Sequence, residues 1–246
     1  MSKILAQGAE AIIRFEKNHV VKDRISKSYR LKVLDEKIRK LRTRSELKLL
    51  EKASKIIDIP KILSSSENKI GMEFINGKRL SSSLDNFSLK KQKQILNFIG
   101  KDISKLHDAN IIHGDLTTSN IILVDKFEKK MNVRLNKADN KNKLKNRILA
   151  SKNKSSERSE PILGWGGRNK PIVFFIDFGL GFISNKPEAK AVDLHLLKQA
   201  LEAKHFKHWQ KLWEDFEKSY NNSKESSKIL ERLKTVEKRG RYKEKY

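Results

Sequence analysis

Cysteine is absent from the 246 residues. That excludes disulfides and cysteine-rich zinc sites, and it fits a reducing compartment. A long apolar run is missing as well. The longest candidate, IVFFIDFGLGFI, carries Asp177 at its centre, so no segment reaches the length of a bilayer span. The amino terminus, MSKILAQGAEAIIRF, does not read as a secretory leader, because its apolar run is short and is broken by Glu10 and Arg14. A cytoplasmic chain without membrane association is therefore expected. Acidic residues are scarce: 30 Asp and Glu stand against 55 Lys and Arg, a formal net charge of +25. A field of that sign attracts polyanions, nucleic acid first among them. Apolar residues still make up 37% of the chain, enough for one large domain or two small lobes.

What is present falls into an order. Residues 3 to 33 alternate apolar and polar groups in short runs and predict strands joined by turns. From Asp35 to about Lys55 the pattern turns helical, with Leu34, Ile38 and Leu41 assigned to one face. IPKILSSSENKIGMEFI predicts two more strands around a polar turn, and NGK at 76–78 marks a turn or hinge. Ser88 is placed to cap a helix running to about Ala109, whose Leu96, Ile99, Ile103 and Leu106 bury one face. NIILV and IVFFIDFGL predict apolar strands, and helices follow at about 188–204, 205–220 and 223–237. Phe206, Trp209, Trp213, Phe216 and Tyr220 step by three and four, a core-facing helical stripe. Between the two apolar strands, residues 126–170 hold 14 Lys and Arg and only 4 Asp and Glu. A stretch so polar and so low in complexity cannot bury a core and is expected to be a disordered basic insertion.

The chemistry lies in separated pieces. IIHGDLTTSN, residues 111–120, places Asp115 and Asn120 five residues apart behind an apolar pair. IDFG, residues 176–179, puts Asp177 at the end of a strand, where its carboxylate can point into a cleft. Asn120 and Asp177 together offer hard oxygen ligands to a divalent ion carrying a nucleotide. Asp115 is then free to act as base or water-orienting group, and His113 to brace the loop. Phosphoryl transfer asks for such a set: a metal clamp, a positioned acceptor and a covered phosphate tail. AQGAEA at 6–11 is a strand-to-strand turn whose small residues let backbone amides approach phosphate, although it lacks the several glycines of the usual phosphate loop. Lys22 follows on the next strand, and Glu46 in the helix RTRSELKLL is the anion expected to fix it. His205 and His208 invite a metal reading, but no third ligand accompanies them.

In this order, the glycine turn, Lys22, Glu46, HGDLTTSN and IDFG resemble the protein-kinase-like fold. Aminoglycoside, choline and RIO kinases share the HGD form of the loop. The segments KSYR, LDEKIRKLRTRSE, GMEFINGKRL and AVDLHLLKQAL, with the ending VEKRGRYKEKY, are similar to the small atypical kinases of the KEOPS complex, the PRPK family. The resemblance covers nearly the whole chain outside 126–170. It implies an α+β, protein-kinase-like bilobal fold: a β-rich N-lobe with one long helix over 1–75, and a reduced helical C-lobe over 76–246 that ends in a basic tail at 234–246. It implies ATP and Mg2+ as cofactors, with Asp115, Lys22 and Glu46 catalytic and Asn120 and Asp177 on the metal. ATP contacts are expected from Leu5, Ala6, Gln7, Gly8, Ala9, Glu10, Ala11, Lys22, Met72, Glu73 and Ile75. The implied activity is ATP hydrolysis that supports threonylcarbamoyl-adenosine synthesis on tRNA. The implied partners are the tRNA threonylcarbamoyltransferase subunit, other KEOPS subunits and tRNA. Within the tail, Lys238, Arg239, Arg241 and Tyr242 are the residues expected on tRNA, the arginines because they can hold two phosphate oxygens at once.

Three departures from ordinary protein kinases weigh against the alternative, a serine/threonine kinase acting on free proteins. Gly114 stands where an arginine commonly docks a phosphorylated activation loop. Only 13 residues separate Gly179 from Asp193, with no APE-like stretch, and Thr117 replaces a lysine that steadies the transferring phosphate.

Overall fold

The computed structural model describes residues 2–124 and 172–241. The insertion expected at 126–170 and the last residues of the tail lie outside the described residues. Five strands, β1 (Lys3–Gln7), β2 (Ala11–Glu16), β3 (His19–Arg24), β4 (Ile62–Ser65) and β5 (Lys69–Glu73), form an antiparallel sheet in the order β1-β2-β3-β5-β4. Lys17 and Asn18, both at positive φ, make the two-residue turn between β2 and β3, the geometry whose twist matches that of the strands. β3 is thus the central strand, with Lys22 opposite Ile13 on one side and Ile70 on the other. The sheet ends just before residue 75, where the boundary between two lobes is proposed.

α1 (Lys32–Ala53) departs from the pattern read in the sequence. Its buried positions are Asp35, Thr43, Glu46, Leu49, Leu50 and Ala53, while Leu34 and Leu41 are about half exposed. At 3.6 residues per turn, Leu34 and Leu41 stand about 120° and 140° from Glu46 around the axis. The rotation of the helix is therefore set by polar residues. Glu46 turns inward to cations on β3, and Asp35 accepts hydrogen bonds from Arg39 Nε (2.7 Å) and Ser26 Oγ (2.9 Å), pinning the β3–α1 loop.

Beyond the sheet the chain is mostly helical: α2 (Leu80–Ser83), α3 (Leu89–Asp108), α4 (Pro187–Lys204), α5 (Trp209–Tyr220) and α6 (Ser226–Arg241). The apolar stripe of α3 is fully buried at Leu96, Ile99, Ile103 and Leu106, as its spacing predicts, although the Ser88 side chain makes no capping bond. It shares one core with Leu194, Leu197 and Leu201 of α4 and Leu212, Phe216 and Tyr220 of α5. Trp213, Phe216 and Tyr220 stack in sequence along α5. Phe206 does not join them: it lies in the turn before α5 and is 79% exposed. α6 is tied to α4 by Lys198–Glu237 (2.6 Å), and Glu225, just ahead of α6, pairs with Lys190 (3.4 Å). It runs four residues past the expected end.

Short strands frame the loops between these helices. β6 (Lys78–Arg79), β8 (Ile121–Val124) and β9 (Ile172–Phe175) make one small sheet in the order β6-β8-β9. β7 (Ile111–Ile112) pairs antiparallel with β10 (Phe182–Ile183), which ties the stretch before Asp115 to the stretch after Asp177. Among the described residues, no helix is long and apolar enough to cross a membrane.

Candidate active site

Alternation along β3 sends Val20, Lys22 and Arg24 to the same face of the sheet, toward α1. Lys22 is buried, and its ammonium donates to Glu46 Oε1 and to Asp177 Oδ1, each at 2.7 Å. The structure thus brings the β3 lysine, the α1 glutamate and the aspartate of IDFG to one point. Asp177 adopts a left-handed backbone, φ +64°, uncommon for a residue with a Cβ, and this aims its half-exposed carboxylate back at Lys22. Partial burial pushes its pKa up, but the Lys22 ammonium and the Gly179 N–H outweigh that and hold it below the usual carboxylate value.

The loop carrying Asp115 is built from its backbone outward. Asp193, projecting from α4, accepts the backbone N–H groups of His113 (2.7 Å) and Gly114 (2.9 Å). Behind it stands His107, whose Nε2 lies 3.4 Å from the same carboxylate and whose Nδ1 is 2.7 Å from the Tyr220 hydroxyl. Burial works to raise the Asp193 pKa, yet His107 and the loop amides overcome it and keep the carboxyl ionised below its ordinary value. His113 Nε2 lies 3.1 Å from the Ile176 carbonyl, and its Nδ1 is 3.3 Å from the Asp115 N–H. A neutral ring satisfies both, donating through Nε2 and accepting at Nδ1. Burial lowers the His113 pKa in the same direction, against the pull of Asp193 and Asp177. The histidine is thus placed to brace the Ile176 carbonyl against the Asp115 amide.

Asn120 closes the constellation. Its Nδ2 donates to the Asp115 carbonyl (2.9 Å) and to Asp115 Oδ2 (2.8 Å), fixing the aspartate, while Oδ1 remains for another ligand. On Asp177, Oδ1 takes both Lys22 and the Gly179 N–H, which leaves Oδ2. Two protein oxygens suit Mg2+, which keeps several waters and takes the rest of its shell from phosphates. Among the described residues no group of three or more His, Asp or Glu is arranged to hold a metal by itself, so an ion here would have to arrive with an anionic ligand.

A cavity of about 390 Å3 opens on this point. Leu5, Lys22, Met72, Glu73, Ile75, Asn120 and Asp177, all marked from sequence, line it together. Its apolar walls, which sequence reading missed, are Ile13, Val20, Ile122 and Ile176. The signal was available: Val20 is two residues before Lys22, and Ile122 two after Asn120, on the same faces. Ala6, Gln7, Gly8, Ala9, Glu10 and Ala11 do not line the cavity. Their turn is instead tied to α1 and the loop before it, through an ion pair of Glu10 with Arg42 and a bond from Lys27 to the Ala9 carbonyl. A larger hollow, about 510 Å3, lies on the opposite face of the sheet around Arg14, Val21, Asp23 and Ser64. None of Lys22, Asp115, Asn120 or Asp177 reaches it.

Of the residues expected on tRNA, Lys238 and Arg239 lie in the last turns of α6, and Arg241 ends it. Arg239 Nη1 is 2.6 Å from Glu188 Oε1 at the start of α4, and Arg232 pairs with the same carboxylate. Tyr242 lies outside the described residues.

Gly114 is required twice over. Its φ is +80°, and a Cβ placed there would fall 2.2 Å from the Leu180 carbonyl oxygen. Gly114→Ala is expected to destabilise the chain by roughly 2–4 kcal/mol, combining left-handed strain with overpacking. Chemical denaturation followed by circular dichroism checks this, and a variant as stable as wild type would show that β10 can move away.

The chain was compared with known proteins. A family model described as RIO domain matches residues 5–131. The KEOPS complex subunit Bud32 of Pyrococcus abyssi is 32% identical over 99% of this chain and 97% of its own. A probable serine/threonine-protein kinase, the BUD32 homolog of Archaeoglobus fulgidus, is 31% identical over 97% of this chain and 95% of its own. A probable bifunctional tRNA threonylcarbamoyladenosine biosynthesis protein of Methanobrevibacter smithii is 35% identical over 97% of this chain, which spans only 36% of that larger protein.

Proposed function

The chain belongs to the Bud32 family of RIO-domain proteins, and from that premise we propose that it binds Mg-ATP in the cavity around Lys22 and cleaves the terminal phosphate there. It is an atypical kinase or ATPase subunit of the KEOPS complex and supports threonylcarbamoyl-adenosine formation on tRNA. The observation that carries the site is the convergence of Lys22, Asn120 and Asp177 on one cavity, with Asp115 fixed beside them by Asn120.

The roles follow from the geometry. The apolar walls, Val20, Ile122 and Met72, suit the flat face of a purine. Asn120 Oδ1 and Asp177 Oδ2 would hold the ion, which neutralises the phosphate tail when bound. Lys22, set between Glu46 and Asp177, would give its ammonium to phosphate oxygens. Asp115 orients the attacking water or hydroxyl. Gly114, the 13-residue segment after Gly179 and its pairing into β10 leave little platform for a peptide, which favours hydrolysis over phosphorylation of free proteins.

The threonylcarbamoyltransferase subunit is the partner we assign, with tRNA as the polyanion that draws the +25 charge. A cytoplasmic location follows from that target. The test is ATP turnover of the full chain alone, with tRNA, and with the transferase subunit. Stimulation by the subunit or by tRNA is expected, and a chain that neither hydrolyses ATP nor changes rate in any of the three arms overturns the reading.

Arg239 and Arg241 are proposed to contact the tRNA backbone, Arg239 by exchanging Glu188 for phosphate. The double variant Arg239→Ala/Arg241→Ala is expected to weaken tRNA binding and to lower the salt slope by roughly one unit for each phosphate no longer neutralised. Binding measured across a salt series decides it, and an unchanged slope makes this end of α6 structural.

A further inference from the structure

Arg24 has no part in the chemistry described above, yet it is buried at its edge. It lies two residues past Lys22 on the same face of β3 and is 5% exposed. Its Nη2 donates to Glu46 Oε2 at 2.6 Å, while Lys22 holds Oε1 at 2.7 Å. Glu46, itself 2% exposed, is therefore shared by two cations, one on each oxygen. The guanidinium also reaches the turn after Asp177: a Cβ built on Gly179 would lie 3.5 Å from Arg24 Nη2 and 3.1 Å from Lys22 Nζ. A buried arginine is costly unless paired, so this one is held in place by what it contacts.

We propose that Arg24 is a positioning residue, which keeps Glu46, and with it α1, inside the site while Lys22 turns to phosphate. This rests on the reading of the cavity as a phosphoryl-transfer site. Lys22 has one ammonium and three claimants: Glu46, Asp177 and the nucleotide. Were it the sole partner of Glu46, each step toward phosphate would leave a buried carboxylate poorly compensated. Glu46 would then swing outward to water and take α1 with it. Arg24 removes that conflict because its hydrogen bond is to the other oxygen and its charge is permanent. In kinases with a phosphorylation switch, a docked activation loop helps set the position of this helix. Here a fixed cation on the sheet does it, in keeping with a glycine at position 114.

The test is a cycle of variants: Arg24→Met, Arg24→Lys, Glu46→Gln and Arg24→Met/Glu46→Gln, each measured for steady-state ATP turnover and for thermal unfolding. Arg24→Met is expected to lower kcat by roughly 10–100-fold, the scale of a misplaced catalytic group, with KM for Mg-ATP changed by less than about threefold. Arg24→Lys, which can keep a bond to one oxygen, is expected to recover most of the rate. In the Glu46→Gln background, removing Arg24 should cost no further rate. Wild-type kcat per folded molecule in Arg24→Met, or losses that multiply in the double variant, would overturn the proposal. Should Arg24→Met fail to fold, Arg24→Gln, which keeps a donor without the charge, carries the same comparison, and wild-type kcat there would overturn it too. Wild-type chain without turnover overturns the phosphoryl-transfer reading and this proposal with it, whereas an active wild type beside an equally active Arg24→Met overturns only the role of Arg24.

Discussion

Asp177→Ala is expected to lose ATP turnover by roughly 10³-fold, the scale seen when a preorganised electrostatic contact to the transition state is removed. The side chain supplies one of the two protein oxygens proposed, among the described residues, to face the ion, and its loss leaves Asn120 with a neutral amide oxygen. It also frees Lys22, which then pairs with Glu46 without a second carboxylate to draw it forward. Binding and rate should fail together, because the ion is held through the nucleotide. Asp115→Ala is the control with the opposite split. Asp115 is held by Asn120 but does not line the cavity, so turnover should fall by about 10²–10⁴-fold while Mg-ADP affinity is largely kept. Isothermal titration with Mg-ADP and a phosphate-release assay separate the two. Wild-type turnover in Asp177→Ala would remove the metal role from this residue.

Asp193→Ala is the variant expected to cost most in stability. The substitution leaves the buried N–H of His113 and the part-buried N–H of Gly114 without an acceptor, at about 1–3 kcal/mol each, and strands His107 between an alanine and Tyr220. A total of roughly 3–5 kcal/mol is a large part of the 5–15 kcal/mol available to a typical domain. Asp193→Asn, with one acceptor oxygen retained, should fall between. The pH dependence has a definite sign. The folded pKa of Asp193 lies below its unfolded value, so its contribution is complete above the ordinary carboxylate pKa of about 3.9 and is lost as pH falls below that toward the depressed value. Wild type should therefore lose more stability than Asp193→Asn between pH 5 and 3, roughly the window in which a carboxylate protonates. Urea unfolding at both pH values measures this, and parallel losses in the two proteins would assign the acid sensitivity elsewhere.

How much of this was legible beforehand depended on the kind of signal each residue leaves. Lys22, Asp115, Asn120 and Asp177 sit in short motifs flanked by apolar strands, and the strands placed them. Glu46 could be chosen because it is the acid in the right helix, but the face it occupies could not. Apolar periodicity pointed to Leu34 and Leu41, whereas α1 is turned by its polar contacts, and a hydrophobic pattern carries no record of a buried ion pair. Arg24 was hidden in a basic stretch where every charge looks solvated. Asp193 left a clearer trace, an acid inside the apolar run AVDLHLL, since a carboxylate at a core position must have partners waiting for it. The turn at 6–11 shows the opposite limit. Small residues between two strands permit an approach to phosphate without fixing which way the turn leans, and here Glu10 is held by Arg42.

The close approach of Gly114 to the Leu180 carbonyl also bears on descent. An arginine at 114 would need both a different backbone angle and a β10 moved away from β7. A chain with this backbone cannot acquire an arginine at 114 through one codon change without becoming a poorly folded chain. The segment after Gly179 is constrained as well, for lengthening it ahead of Phe182 would strain the pairing of Phe182 and Ile183 with Ile112 and Ile111.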